Sequence, residues 1–160
     1  MRRDLIALPD TSRVWVYQCD QTVDDNVAEE IQTILYNFTM QWQSHGQVVQ
    51  SYAQLFHKKF LVFVADETNH VSGCSIDSSV HIIKQMEDRY KVSFFDRLNF
   101  AFFNNDELHV IHSSEFKKAY EDGIINDDTL MFDNLVNTKE DFLNKWVIPL
   151  NESWYTRYLG

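Results

Sequence analysis

The sequence predicts an α+β fold, a layered arrangement of a mainly antiparallel sheet of about five strands with packed helices. Three observations carry this prediction. Short runs of strand-forming residues, VWVYQ and FLVFVA among them, alternate with longer stretches of helical periodicity. Turn chemistry, His57-Lys58 in one place and Asn104-Asn105-Asp106 in another, joins neighbouring runs closely enough for hairpins. The composition, 44% apolar and 14% aromatic with only 4 Gly and 2 Pro in 160 residues, belongs to a chain with a core to fill. A ferredoxin-like core with a C-terminal helical extension is one version of this fold. No repeat, low-complexity tract or long linker divides residues 1–160, so a single domain is expected.

The elements follow in order. Val14 to Gln18 reads as a first strand after the turn-like Pro9-Asp10-Thr11-Ser12. The next stretch repeats Val27, Ile31, Ile34, Leu35, Phe38 and Trp42 on one helical face, with Thr22 as its expected cap and Gly46 as its expected end. Its early acids, Asp24, Asp25, Glu29 and Glu30, stand near the positive end of the helix dipole and read as solvated stabilising charges. Val48 to Phe56 and Lys59 to Ala65 are strand candidates, the second apolar enough to be covered on both faces. After the polar stretch from Asp66 to Gly73, a second helix is expected to begin among Ser72 to Ser75 and to run to about Tyr90.

Arg97 to Phe103 and Glu107 to His112 form the next expected hairpin. Ser113 to Gly123 reads as a short helix, and Asp127 to Val136 as a short helix or loop. Thr138, with Asp141 three positions on, starts a last helix that Pro149 must end. The aromatic tail NESWYTRYL is expected to dock the C-terminus onto the domain.

Charge and cysteine usage narrow the setting. With 14 Lys plus Arg against 24 Asp plus Glu, the formal charge of -10 repels phosphate backbones and anionic membranes, so neither nucleic acid nor a membrane is an expected partner. Cys19 and Cys74 form no zinc spacing and no CxxC pair, and MRRDLIALPD lacks the apolar run of a secretory signal. A cytoplasmic, reduced protein is the expectation. FLVFVA is far shorter than the roughly 20 apolar residues that cross a bilayer.

The densest candidate chemistry lies in ADETNHVSGCSIDSSVH, from Ala65 to His81, where an apolar strand runs into a Gly-containing turn and a helix start. Cys74, Asp77, Ser78 and His81 stand at i, i+3, i+4 and i+7, close to one helical face. A thiolate at a helix start with an imidazole as base would be a nucleophilic arrangement, and these three, Cys74, Asp77 and His81, are the catalytic candidates. Seven residues of helix rise about 10.5 Å, so a direct Cys74 to His81 hydrogen bond needs a bent or late-starting helix. A metal reading would recruit Asp66, Glu67, His70, Cys74, Asp77 or His81, but no HExxH, paired CxxC or calcium loop is present, so no metal and no cofactor are expected.

An anion reading uses the N–H groups around Gly73, with Asp66, Glu67, Gly73, Ser75, Ser78 and Arg97 as ligand-binding candidates. Each has a plainer use: Asp66 and Glu67 ending a strand, Ser75 and Asp77 satisfying a helix start, Cys74 filling core space, Arg97 pairing with Asp96. His45, His57, His109 and His112 read as surface or edge residues. Phe94, Phe95, Phe100, Phe102 and Phe103 can pack in the core or line an apolar pocket.

WVYQ, the W-x-x-H-G at Trp42 to Gly46, Asp66-Glu67, GCSIDSSV and FFDRLN together resemble a family of small uncharacterised Bacteroidetes proteins that often carry the automatic label "ABC transporter ATPase". The resemblance spans nearly the whole chain and implies no mechanism. The label itself conflicts with the residues, because GxxxxGK[ST] occurs nowhere in the sequence. The expected function is that of a binding or protein-interaction domain whose partner is an unidentified protein or small molecule, with a homodimer as one open arrangement. The alternative is a small enzyme using thiol- or metal-assisted chemistry around Gly73 to His81.

Overall fold

The run FLVFVA forms strand β5 (Phe60–Ala65), buried along its whole length, and the architecture follows from what covers its two faces. Side chains alternate along a strand, so Leu61, Phe63 and Ala65 face one way and Phe60, Val62 and Val64 the other. The computed structural model describes residues 1–66 and 73–160, apart from the side chains of residues 73–75. Among the described residues, β5 is the centre of a three-stranded antiparallel sheet, between β1 (Arg13–Gln18) and β4 (Ser51–Phe56). Residues 57–59 close the β4–β5 hairpin between the paired Phe56 and Phe60, with φ of 54° at both His57 and Lys58 and the Lys59 N–H donating to Phe56 O at 3.0 Å.

Helices α1 (Asp25–Gln41) and α2 (Gly73–Tyr90) cover one face of this sheet, setting Ile31, Leu35, Ile83 and Met86 around Phe63. Burying each such side chain is worth about 1.5–3 kcal/mol. The cap of α1 is Asp24, which accepts a hydrogen bond from the Val27 N–H, rather than the expected Thr22. The reason is tertiary: the Val23 N–H is bonded to the Lys58 carbonyl, which holds the chain extended until Asp24. The helix also ends before Gly46. Trp42 is extended, and His45 and Gly46, both at positive φ, turn the small hairpin of β2 (Gln43–Ser44) and β3 (Gln47–Val48).

The other face of β5 meets a second sheet. Strands β6 (Asn99–Asn104), β7 (Glu107–His112), β8 (Leu130–Phe132) and β9 (Val147–Pro149) pair antiparallel in the order β7-β6-β8-β9. Ala101 and Phe132 pack on Phe60, Val62 and Val64, with the rings of Phe60 and Phe132 stacked 4.7 Å apart. Helix α4 (Lys139–Lys145), capped by Thr138 as expected, brings Phe142 and Trp146 to the same layer. On the far side of this second sheet, Phe100, Phe102 and Met131 are covered by α3 (Phe116–Glu121), Ile125 and the C-terminal turns carrying Leu150 and Tyr155. The tail docks, as its aromatics predict.

The α+β class and the antiparallel pairing are as expected, but the strands divide among three sheets instead of one. The order β1-β5-β4 with α1 as crossover matches three of the four strands of a ferredoxin-like sheet; the strand after α2 pairs in the second sheet instead. The edge of β1 that it would need is already taken, since the Val14 N–H bonds Asn137 O at 3.0 Å and Arg13 bridges Thr138. The outer edge of β4 is likewise covered by Arg2 and Arg3. The C-terminal extension is mixed, because LMF and VIP, read as loop or helix end, pair as β8 and β9.

Candidate functional site

Between Tyr90 and β6 the chain returns over the end of β1, and hydrogen bonds fix its course. Asp20 N–H donates to Ser93 O at 2.8 Å, Ser93 N–H to the Asp20 carboxylate at 3.1 Å, and Asp96 N–H to Gln18 O at 3.2 Å. The Glu87 carboxylate accepts from the Phe94 N–H at 2.7 Å. Asp96 turns its carboxylate back into the loop, where it accepts from the N–H groups of Leu98 and Asn99 and from the Asn99 side chain, a short polar residue organising its own turn. Phe94 is thereby buried, Phe95 is half-buried against Tyr17, and Arg97 is left exposed on the same loop.

Three further segments close the walls. Gln18 donates to Asn99 O at 2.7 Å and accepts from the Asn134 amide at 3.0 Å; Asn134 in turn accepts from the Trp146 indole N–H at 3.0 Å. The tail is anchored by Trp154, whose indole N–H donates to Asp133, and by Tyr155, whose hydroxyl donates to Phe132 O at 2.6 Å. The result is a cavity of about 230 Å³ walled by Tyr17, Phe95, Phe100 and Trp154, with Arg97 and the exposed Leu135 at its rim.

The polar groups of the cavity differ in availability. Both ends of the Gln18 and Asn134 amides are used in holding the walls. Among the described residues, neither the Arg97 guanidinium nor the Tyr17 hydroxyl has a hydrogen-bond or ion-pair partner. Burial raises the Tyr17 phenol above its ordinary pKa, with Arg97 pulling it the other way. The phenol is therefore a neutral O–H donor at neutral pH. Close by, Lys59 is only 3% exposed; burial lowers its pKa, and Cys19, Asp96 and Asp20 draw it back up. Lys59 is the buried countercharge to the acids that pin the 93–96 segment. Cys19 is fully buried, and burial first among several causes pushes its thiol up to about 11.

The described side chains among those singled out around Gly73 to His81 do not line this cavity. Asp66 is half-buried at the end of β5, its N–H bonded to Gln50 O. Glu67 and His70 lie outside the described residues. Gly73, Cys74 and Ser75 occupy the first turn of α2, and the side chains of the last two are likewise outside the description. Asp77, Ser78 and His81 are exposed, with the His81 ring 3.2 Å from the Gln85 amide. Because α2 is already helical at Gly73, Cys74 and His81 stand about 10.5 Å apart along its axis, too far for the direct bond the thiol reading needs. Ser78 borders a broad groove of about 520 Å³ between α1 and α2, next to Phe38 and Trp42. No group of three His, Cys, Asp or Glu able to hold a metal ion occurs among the described residues. No helix of the described residues is long and apolar enough to cross a membrane.

Of the sequence candidates among the described residues, Arg97 lies at the cavity, with Phe94, Phe95 and Phe100 from the aromatic set beside it. Phe103 packs between the sheets, and Phe102 on the far face of the second. Sequence reasoning missed Tyr17, Gln18, Asn134 and Trp154, which come from separate parts of the chain; the readable trace was the placement of Arg97 inside an aromatic-rich turn. Compared with protein-family models, curated proteins and solved structures, the chain gives no match.

Proposed function

We propose that this chain is a ligand-binding domain whose site is the cavity between the end of β1, the 94–100 segment and the C-terminal tail. The observation that supports this reading is the combination of fixed aromatic walls with one cation and one hydroxyl that have no partner among the described residues. Concave, mostly apolar sites with a few convergent polar groups are where small molecules bind. FFDRLN, one of the segments that carry the family resemblance, supplies Phe95 and Arg97 to that site, and the lack of GxxxxGK[ST] in the sequence speaks against an ABC-type ATPase. The enzyme alternative around Gly73 to His81 has less behind it, since Asp77 and His81 are open to solvent and the Cys74 side chain lies outside the described residues.

Thermal unfolding against a small-molecule set tests the proposal. A ligand at 100 times its Kd adds about 2.7 kcal/mol to stability. At this chain length that shifts Tm by roughly 5–10 °C. The gain is expected to vanish in Phe95→Ala and to persist in Ser78→Ala; the opposite pattern would move the site to the α1–α2 groove. As a protein-interaction surface, the outer edge of β7 is favoured, because the edges of β1 and β4 are covered and β9 is short and ends in Pro149. Sedimentation of the wild type against Val110→Pro would show whether a second copy pairs there.

A further inference from the structure

We infer that the ligand of this cavity is a small aromatic carboxylate, its ring against Tyr17, Phe95 and Trp154 and its carboxylate on Arg97. This rests on the reading of the cavity as the binding site. Size comes first. At about 230 Å³ the cavity falls below the roughly 300–1,000 Å³ of drug-sized sites, which limits the occupant to one or two rings. The walls select shape: Tyr17 and Phe95 meet edge to face at 5.6 Å, and Phe100 and Trp154 meet the same way at 5.6 Å, so a flat ring finds faces and edges to pack on.

The available polar groups select charge. With the Gln18 and Asn134 amides spent on each other, on Asn99 and on Trp146, the lining side-chain groups without a partner among the described residues are the neutral Asn99 amide oxygen and two donors, the Arg97 guanidinium and the Tyr17 O–H, of which Arg97 carries the charge. A complementary head group accepts hydrogen bonds and carries negative charge; an ammonium would oppose Arg97 and leave both donors unmatched. The nearest acids do not supply that anion from within. Asp96 spends its carboxylate on the N–H groups of its own turn and faces the Lys59 charge, and Asp133 Oδ1 accepts from Leu135 N–H and the Trp154 indole. A phosphate dianion is the poorer match, because the described lining holds one guanidinium and no lysine, with the Asp96 carboxylate beside it.

Calorimetric titration at pH 7 with benzoate, benzamide and benzylammonium, on the wild type and on Arg97→Met, tests the inference. Benzoate is expected to bind at least tenfold tighter than benzamide, and benzylammonium not at all. In Arg97→Met, benzoate should fall to the benzamide level while benzamide is unchanged; an unaltered melting temperature establishes that this exposed substitution leaves the fold intact. Benzamide or benzylammonium binding as tightly as benzoate, with a change at the Trp154 indole, overturns the carboxylate and keeps the cavity. Failure of all three to perturb Trp154 overturns both.

Discussion

Two stretches of this chain look alike as sequence and differ as structure. GCSIDSSVH and FFDRLN each put polar and charged residues beside an apolar run at the boundary of a secondary element. In the first, Asp77, Ser78 and His81 project from one helix into solvent while Ser79 is buried, and among the described residues the Gln85 amide on the same helix is the group that the His81 ring meets. In the second, β1, the loop after α2, the 133–135 turn and the tail converge, and their own hydrogen bonds fix the walls. Residue types at helical spacing are thus a weaker indicator of a site than convergence of distant segments, which local spacing does not report.

The contrast can be broken most forcefully at the tail. Tyr155→Ala deletes a buried ring and its bond to Phe132 O, and should cost about 3–5 kcal/mol in urea unfolding while releasing Trp154 from the cavity wall. Asp96→Ala removes the acceptor that organises the 96–99 turn, with an expected loss of about 1–3 kcal/mol and weaker ligand binding, because Arg97 and Phe95 are no longer held. On the helix, Asp77→Ala and His81→Ala should each change stability by less than about 0.5 kcal/mol and leave cavity binding untouched. A larger effect from either would mean that the helix face has a partner the contrast ignores.

The smallest effect lies outside both regions. The His57 ring packs against Phe60, Phe103 and Phe132, and burial lowers its pKa. The unfolded chain, with an ordinary histidine near 6.5, takes up a proton before the folded one does. The contribution of His57 is therefore complete above about pH 6.5 and is lost as pH falls below it. His57→Asn, which tolerates the positive φ at this turn, should flatten that part of the stability profile measured by urea unfolding between pH 5 and 7.5.

How much was legible follows from how local each cause is. FLVFVA declared a strand covered on both faces, and His57-Lys58 and Asn105-Asp106 adopt the positive φ that their turn chemistry implies. The docking of the tail could be read from its aromatics. By contrast LMF and VIP are three-residue strands that exist only because β6 offers an edge to one and β8 to the other. The displacement of the α1 cap from Thr22 to Asp24 depends on a bond from Val23 to Lys58. The cavity belongs to the same class: Arg97 and the phenylalanines beside it were visible, but Tyr17, Gln18, Asn134 and Trp154 join them only through the layering of two sheets.

The most direct test of the central claim is to follow the indole N–H signals of the four tryptophans and the backbone amides of α2 by NMR while benzoate is added. The account predicts that the Trp154 indole and the Arg97 amide shift together with one saturation curve, while Asp77 and His81 stay still. Shifts confined to Asp77, Ser78 and His81, with Trp154 unmoved, would contradict it and return the site to the helix.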